Sequence, residues 1–314
     1  SIDSNVNGGA LNIPNRKKGR WPKLVYHWST HYRDIIEDEV MANDILTTLD
    51  DGVLTVSFNR PNKKNSVTAA MYAALTSAIH RAEREADIKL LLFTGVGEVF
   101  SAGNDIGDFL ENPANGEESA VVQFLLALSA TDMPMMAAVN GQAIGVGTTM
   151  LMYCDKVYAV ETATFSTPFI NLAVVPEAGS SLLMPKYLGY QLASRMLIFG
   201  EAIDASEAKA CGLVSVLCQY DDLMPLVMQD AKRVASLSKK AMRNVKQLIK
   251  RDEEAIEDRV RFEMQKFGAA LRSPEAREAM TAFLEKRPAD FSAIDETPST
   301  HETPTTHETS TAHD

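Results

Sequence analysis

The feature that most limits the folds open to this chain is a change of hydrophobic period that repeats along its first half. "DILTTLDDGVLTVSFNRP" sets two runs rich in β-branched residues on either side of Asp-Asp-Gly, a hairpin signature closed by Pro61. "VTAAMYAALTSAIHRAEREAD" then carries apolar residues at helical spacing, with Ser66 placed to cap it. "IKLLLFTG" and "MPMMAAVNG" follow as short apolar runs of the buried-strand type. Short strands alternating with helices predict an α/β layer with partly parallel pairing.

After residue 180 the period turns helical, through "SSLLMPKYLGYQLASRMLIFG", "DASEAKACGLV" and "SKKAMRNVKQLIKRDEEAIEDRVRFEMQKFGAAL". In the third piece Leu237, Met242, Val245 and Leu248 share one face, and Lys239, Lys240, Arg243, Lys246 and Lys250 fall mostly elsewhere, which reads as a solvated charged face. The layout is an α/β front and a helical back in one domain, residues 41–291, with the helical part from about 190.

The ends read differently. Residues 1–40 contain "NRKKGRWPK" and both tryptophans, Trp21 and Trp28, and are expected to be a flexible extension. The rival reading is an arm that docks Trp21, Tyr26 and Trp28 on a neighbouring subunit. Residues 292–314 end in a six-residue repeat of Thr, Ser, Pro and acids with nothing apolar larger than Ala or Pro. Such a segment cannot bury enough surface to offset its ordering entropy, so disorder is expected. His301, His307 and His313 recur in it, too loosely held to suggest a metal site.

Several function classes are disfavoured. The formal net charge is −11 and no basic face emerges, against the cationic surface that general nucleic-acid binding requires. No run approaches the roughly 18–20 apolar residues of a membrane span, and the first twenty residues show no secretory signal. Cys154, Cys211 and Cys218 form no CxxC or Cys/His cluster, so neither a disulfide framework nor a metal site is expected.

Two loops, "FTGVGEVFSAGNDIGDF" (93–109) and "VNGQAIGVGTTM" (139–150), share a logic in which a strand ends, glycines follow and a helix-compatible run begins. Glycine lets the backbone turn tightly and offer bare N–H groups to an anion or a developing oxyanion. A dinucleotide reading of Gly145-Val146-Gly147 fails, because the third glycine position is Met150. Downstream, "NLAVVPEAGSS" leaves Glu177 between an apolar run and residues ready to start a helix. It is either a base kept partly dry or an acid stabilised by a helix end. Asp105 is read as fixing its own loop by a side-chain to backbone hydrogen bond.

"FSAGNDIGDF", "AAVNGQAIGVGTTMLMYCD", "FSTPFINLAVVPEAGSS" and "FLEKRPADF", in this order and spacing, resemble the crotonase (enoyl-CoA hydratase/isomerase) superfamily over roughly residues 42–291. The resemblance implies an α/β spiral of ββα turns with a C-terminal helical trimerisation region, a homotrimer or dimer of trimers, and a coenzyme A thioester as ligand with no separate cofactor. It implies an oxyanion hole from the backbone N–H groups of Asn104 and Val146. It points to the loop "NRPNKKNS" with Ala102 and Gly103 as the coenzyme A surface, with Lys63, Lys64 and Lys286 as phosphate candidates.

At the two positions where hydratases of the family carry catalytic glutamates, this chain has Thr149 and Phe169, neither of which can activate water as a carboxylate does. "VPEAGSS" instead resembles the motif that carries the single glutamate of the Δ3,Δ2-enoyl-CoA isomerases, and the Asn of "GNDI" resembles their peroxisomal-type branch. The expectation is an isomerase with Glu177 as its one base, in the cytoplasm. Other superfamily enzymes, including a hydratase, thioesterase or dienoyl-CoA isomerase, and a non-catalytic acyl-CoA-binding homologue are the alternatives. Outside the terminal segments the only histidine is His80, read as an ordinary helix residue.

Overall fold

A computed structural model describes residues 44–113, 116–250 and 256–289. The expectations for residues 1–40 and for the repeat tail lie outside the described residues.

Strands β1 (Ile45–Asp50) and β2 (Val53–Phe58) form the expected hairpin, with Asp50 opposite Val53. Both loop residues, Asp51 and Gly52, take positive φ, the twist that two-residue hairpins favour. Helix α1 (Ala69–Arg84) follows, and Thr68 rather than Ser66 is its N-cap, its hydroxyl accepting from the Met71 N–H. Ser66 lies two residues further out, where its hydroxyl meets Asp105 Oδ2.

From here the chain alternates between two sheets. β3 (Leu90–Gly95), β5 (Met135–Val139), β7 (Lys156–Val160) and β10 (Val216–Cys218) extend the first pair into a sheet of order β1-β2-β3-β5-β7-β10, parallel beyond the hairpin. β4 (Val99–Ser101), β6 (Gln142–Ile144), β8 (Thr164–Ser166) and β9 (Ile203–Asp204) make a second sheet in that order. Each turn of the spiral is thus one strand in each sheet followed by helix. All five residues of β5 are buried, as a parallel strand covered on both faces requires.

The turns differ in their helices: α2 (Ile106–Glu111) and α3 (Ala120–Ala130) follow β4, the one-turn α4 (Val146–Thr149) follows β6, and α5 (Ser180–Leu188) and α6 (Tyr190–Leu197) follow β8. Short α7 (Ala205–Ala210) and then α8 (Tyr220–Ala235), α9 (Lys239–Ile249), α10 (Ile256–Leu271) and α11 (Pro274–Glu285) complete the described chain. The segment expected to be purely helical therefore also supplies β9 and β10, which are two and three residues long and too short to show a period of their own.

Helix α9 reverses one expectation. Apart from exposed Lys240, its cations face the body of the protein. Lys246 is 6% exposed, and its ammonium donates to Met133 O (2.9 Å), Tyr153 O (3.3 Å) and Asp155 Oδ2 (2.8 Å). Lys239 donates to Ala82 O and Glu85 O, Arg243 to Asp132, and Lys250 to Ser129 O and Thr131 O. Val245 and Ile249 are outside, 54% and 78% exposed. The carbonyls at the ends of α1 and α3 and before β5 need donors, and long basic side chains reach them where aliphatic ones could not.

Candidate functional site

Successive turns of the spiral place the two glycine loops side by side. β4 and β6 pair in parallel, with Val99 opposite Gln142 and Ser101 opposite Ala143. The chain then passes through Gly103 and Gly145, both at positive φ. A Cβ on Gly103 would lie 2.8 Å from Ile144 O, and one on Gly145 would meet Gly103 Cα at 3.8 Å, so the loops touch at these two residues. Asn104 and Val146 are the next residue on each. Neither backbone N–H donates to a protein acceptor among the described residues, although the flanking amides do: Gly103 to Ser101 Oγ, Asp105 to Val67 O and Gly145 to Ser166 O. Two bare donors therefore sit at equivalent points of adjoining turns.

The first loop is fastened from several sides. Asp105 N-caps α2 through the Asp108 N–H, as expected, and also takes the Arg60 guanidinium (3.1 Å) and the Ser66 hydroxyl (3.2 Å). Burial opposes the charge on Asp105, but these donors hold its carboxyl below the usual range. The buried Tyr72 hydroxyl donates to Asn104 Oδ1 at 2.5 Å. Asn65, itself at positive φ, accepts from the Arg60 N–H and donates to Val96 O and Val99 O, and Ala102 N–H donates to Lys64 O. The "NRPNKKNS" loop and the first glycine loop thus form one rigid unit.

These residues face a cavity of about 720 Å³. Lys63, Lys64, Ala102, Gly103, Asn104 and Val146 all line it, with Phe169, Leu172 and Val174 beyond. Helices α10 and α11 close the other side through Phe267, Met280 and Phe283. Lys286 does not reach the wall. It ends α11 in the left-handed conformation, and Arg287 lines the cavity instead, with its guanidinium held by Glu278 and Glu285. Arg287 went unforeseen because neighbouring basic residues at a helix end give no sign of which one turns inward.

Glu177 is drawn back from the cavity surface. It is 3% exposed, and its Oε1 accepts from the Thr149 hydroxyl at 2.6 Å, one helical turn after the bare Val146 N–H. Its Oε2 has no hydrogen-bond partner among the described residues. Burial pushes its carboxyl up to about 8; the Thr149 hydroxyl pulls the other way and the charge of Glu263 adds to the rise. Helix α5 does begin just after it, at Ser180. Its amino end is already taken, because Glu263 of α10 accepts from Gly179 N–H (2.6 Å), Ser181 N–H (3.0 Å) and the Ser181 hydroxyl. Of the two environments open from sequence, the dry one prevails. Between them Ala178 and Gly179 both take positive φ, and the Tyr153 hydroxyl fixes Ala178 O at 2.5 Å.

Sequence reasoning missed Glu263 and Tyr72, which lie 86 residues after and 105 residues before Glu177 on helices whose periods mark them only as core. The role of Thr149 had a signal, since it stands where hydratases keep a glutamate. His80 is on the exposed face of α1 beside Glu83. No group of three or more His, Cys, Asp or Glu able to hold a metal occurs among the described residues, and none of their helices is long and apolar enough to cross a membrane.

A spiral of ββα turns wound between two sheets, with helices at its C-terminal end, is the crotonase fold. Residues 48–293 match the family model described as enoyl-CoA hydratase/isomerase, and the chain belongs to that family. It is 37% identical over 218 residues to enoyl-CoA delta isomerase 2 of Rattus norvegicus, a match covering 68% of this chain and 56% of the rat protein. It is also 31% identical over 251 residues to 2,3-dehydroadipyl-CoA hydratase of Escherichia coli, covering 79% and 98%. Among solved structures, an enoyl-CoA hydratase/isomerase from Pseudoalteromonas atlantica superposes with a TM-score of 0.75 at 37% identity, covering 79% of this chain and all of that one.

Proposed function

We propose that this chain is an acyl-CoA isomerase that moves the double bond of a 3-enoyl-CoA into conjugation as the 2-enoyl-CoA. One observation carries the reading: of the three positions at which the family places glutamates, only Glu177 holds a carboxylate. Glu177 takes a C2 proton, the N–H groups of Asn104 and Val146 hold the oxygen of the dienolate, and the same carboxyl returns the proton at C4. No water is consumed, so one carboxylate suffices. Two fixed backbone donors in a dry site stabilise such an oxyanion by several kcal/mol.

The hydratase reading has a named relative in its favour, but addition of water needs a group to activate it. Thr149 uses its hydroxyl on Glu177, and Phe169 is a buried hydrocarbon on the cavity wall. The thioester would lie along the unit of Lys63, Lys64, Ala102 and Gly103. The apolar outer face of α9, with Val245 and Ile249, supports assembly with further copies of this chain as a trimer or dimer of trimers.

The test is conversion of trans-3-hexenoyl-CoA to the conjugated thioester, followed by ultraviolet absorbance, for the wild type and Glu177→Gln. Turnover in the first and none in the second, with binding intact, is expected. An inactive wild type or a fully active variant would refute it.

A further inference from the structure

Glu177 and Glu263 are both nearly inaccessible, at 3% and 4% exposure, and they meet at one short stretch of backbone. The Gly179 and Ser181 amides at the start of α5 are the natural stabiliser of a neighbouring carboxylate, Ser180 N–H being spent on Glu177 O. The Glu177 carboxyl receives neither. Glu263 reaches across from α10 and accepts from Gly179 N–H, Ser181 N–H and the Ser181 hydroxyl. Three donors aimed at one carboxyl favour its ionised form. Burial raises the Glu263 carboxyl above its ordinary value, while these donors and the charge of Arg259, one helical turn earlier on α10, pull the other way, toward the ionised form.

We propose that Glu263 is a positioning residue for the base: by closing the amino end of α5 with its own charge, it denies that end to Glu177 and sets a fixed negative charge beside it, so that Glu177 keeps its proton. The inference rests on Glu177 being the proton carrier. Two effects act in one direction. The helix end is spent on Glu263, so it cannot stabilise ionised Glu177, and a fixed negative charge beside a buried carboxyl disfavours a second one. The other groups around the pair are the Thr149 hydroxyl, the phenols of Tyr72 on α1 and of Tyr153 after α4, and the Arg259 guanidinium. Burial and nearby carboxylates raise both phenols well above their ordinary value, so they stay neutral hydrogen-bond donors, and the carboxyl whose charge bears on Glu177 is that of Glu263.

The experiment titrates Glu177 directly, by infrared or NMR spectroscopy of protein labelled with carboxyl-13C glutamate, its signal identified by its loss in Glu177→Gln. In Glu263→Gln the Glu177 midpoint should fall by about one unit, a tenfold loss of proton affinity. Glu263→Met, which removes charge and cap together, should lower it at least as far. Glu263→Asp keeps the charge and should hold it near the wild-type value. An unchanged midpoint in the Gln and Met variants would overturn the proposal. A wild-type Glu177 midpoint at the ordinary glutamate value would overturn it as well. With trans-3-hexenoyl-CoA, the acidic limb of kcat/KM should move with the midpoint. Absence of turnover in every variant would defeat the isomerase reading, while the titration would still judge Glu263.

Discussion

Glu177→Gln should separate stability from activity. In the folded chain the carboxyl titrates at about 8 against an ordinary 4.5, so folding holds a proton that the unfolded chain releases. A folded-state value raised in this way stabilises fully at low pH, and the benefit is lost as pH climbs from 4.5 to 8. Integrating those two values gives a loss of about 3 kcal/mol between pH 5.5 and 8.5 from this one residue. Glutamine fills the same space, accepts from Thr149 and does not titrate. The assay is urea unfolding at both pH values, at equal protein concentration because assembly would add to apparent stability. The variant should lose about 3 kcal/mol less than the wild type on going to pH 8.5, while supporting no proton transfer. Parallel pH dependences in the two proteins would show that the carboxyl is solvated in solution, and the account of the site would fail with it.

Two further substitutions test other parts of the frame. Gly103→Ala puts a methyl 2.8 Å from Ile144 O at a φ of +81°, so the glycine loops must separate; turnover should fall at least a hundredfold, with Tm lowered, by steady-state kinetics and calorimetry. Lys246→Ala strips donors from Met133 O and Tyr153 O and leaves Asp155 without its buried partner, and chemical denaturation should show a loss of about 3 kcal/mol.

What was legible in the sequence was whatever local chemistry repeats. The hairpin, the strand and helix alternation and the two glycine loops each announce themselves within about a dozen residues. Asn104 and Val146 were named through the family resemblance, the loops alone marking only where bare amides can occur. Contacts made across the fold were illegible. Helix α9 shows why: amphipathic spacing tells that two faces differ but not which one is buried, and here unsatisfied carbonyls on the body drew the cations in. The environment of Glu177 was undecided for the same reason. Its own neighbours include both aliphatic residues and a helix start, and the deciding group, Glu263, comes from another helix.

The inward cations of α9 also make the helix a gauge of its own attachment. An amine-reactive label counts only free ammonium groups, so in the folded chain it should modify exposed Lys240 quickly and spare Lys246, whose ammonium is held by two carbonyls and a carboxylate. Lys239, half-buried and tied to the end of α1, should react at an intermediate rate. If α9 lifts away, all three become equivalent at once. Mass-spectrometric labelling ratios along eleven residues would then report, without any probe being introduced, how often this helix leaves the body of the protein.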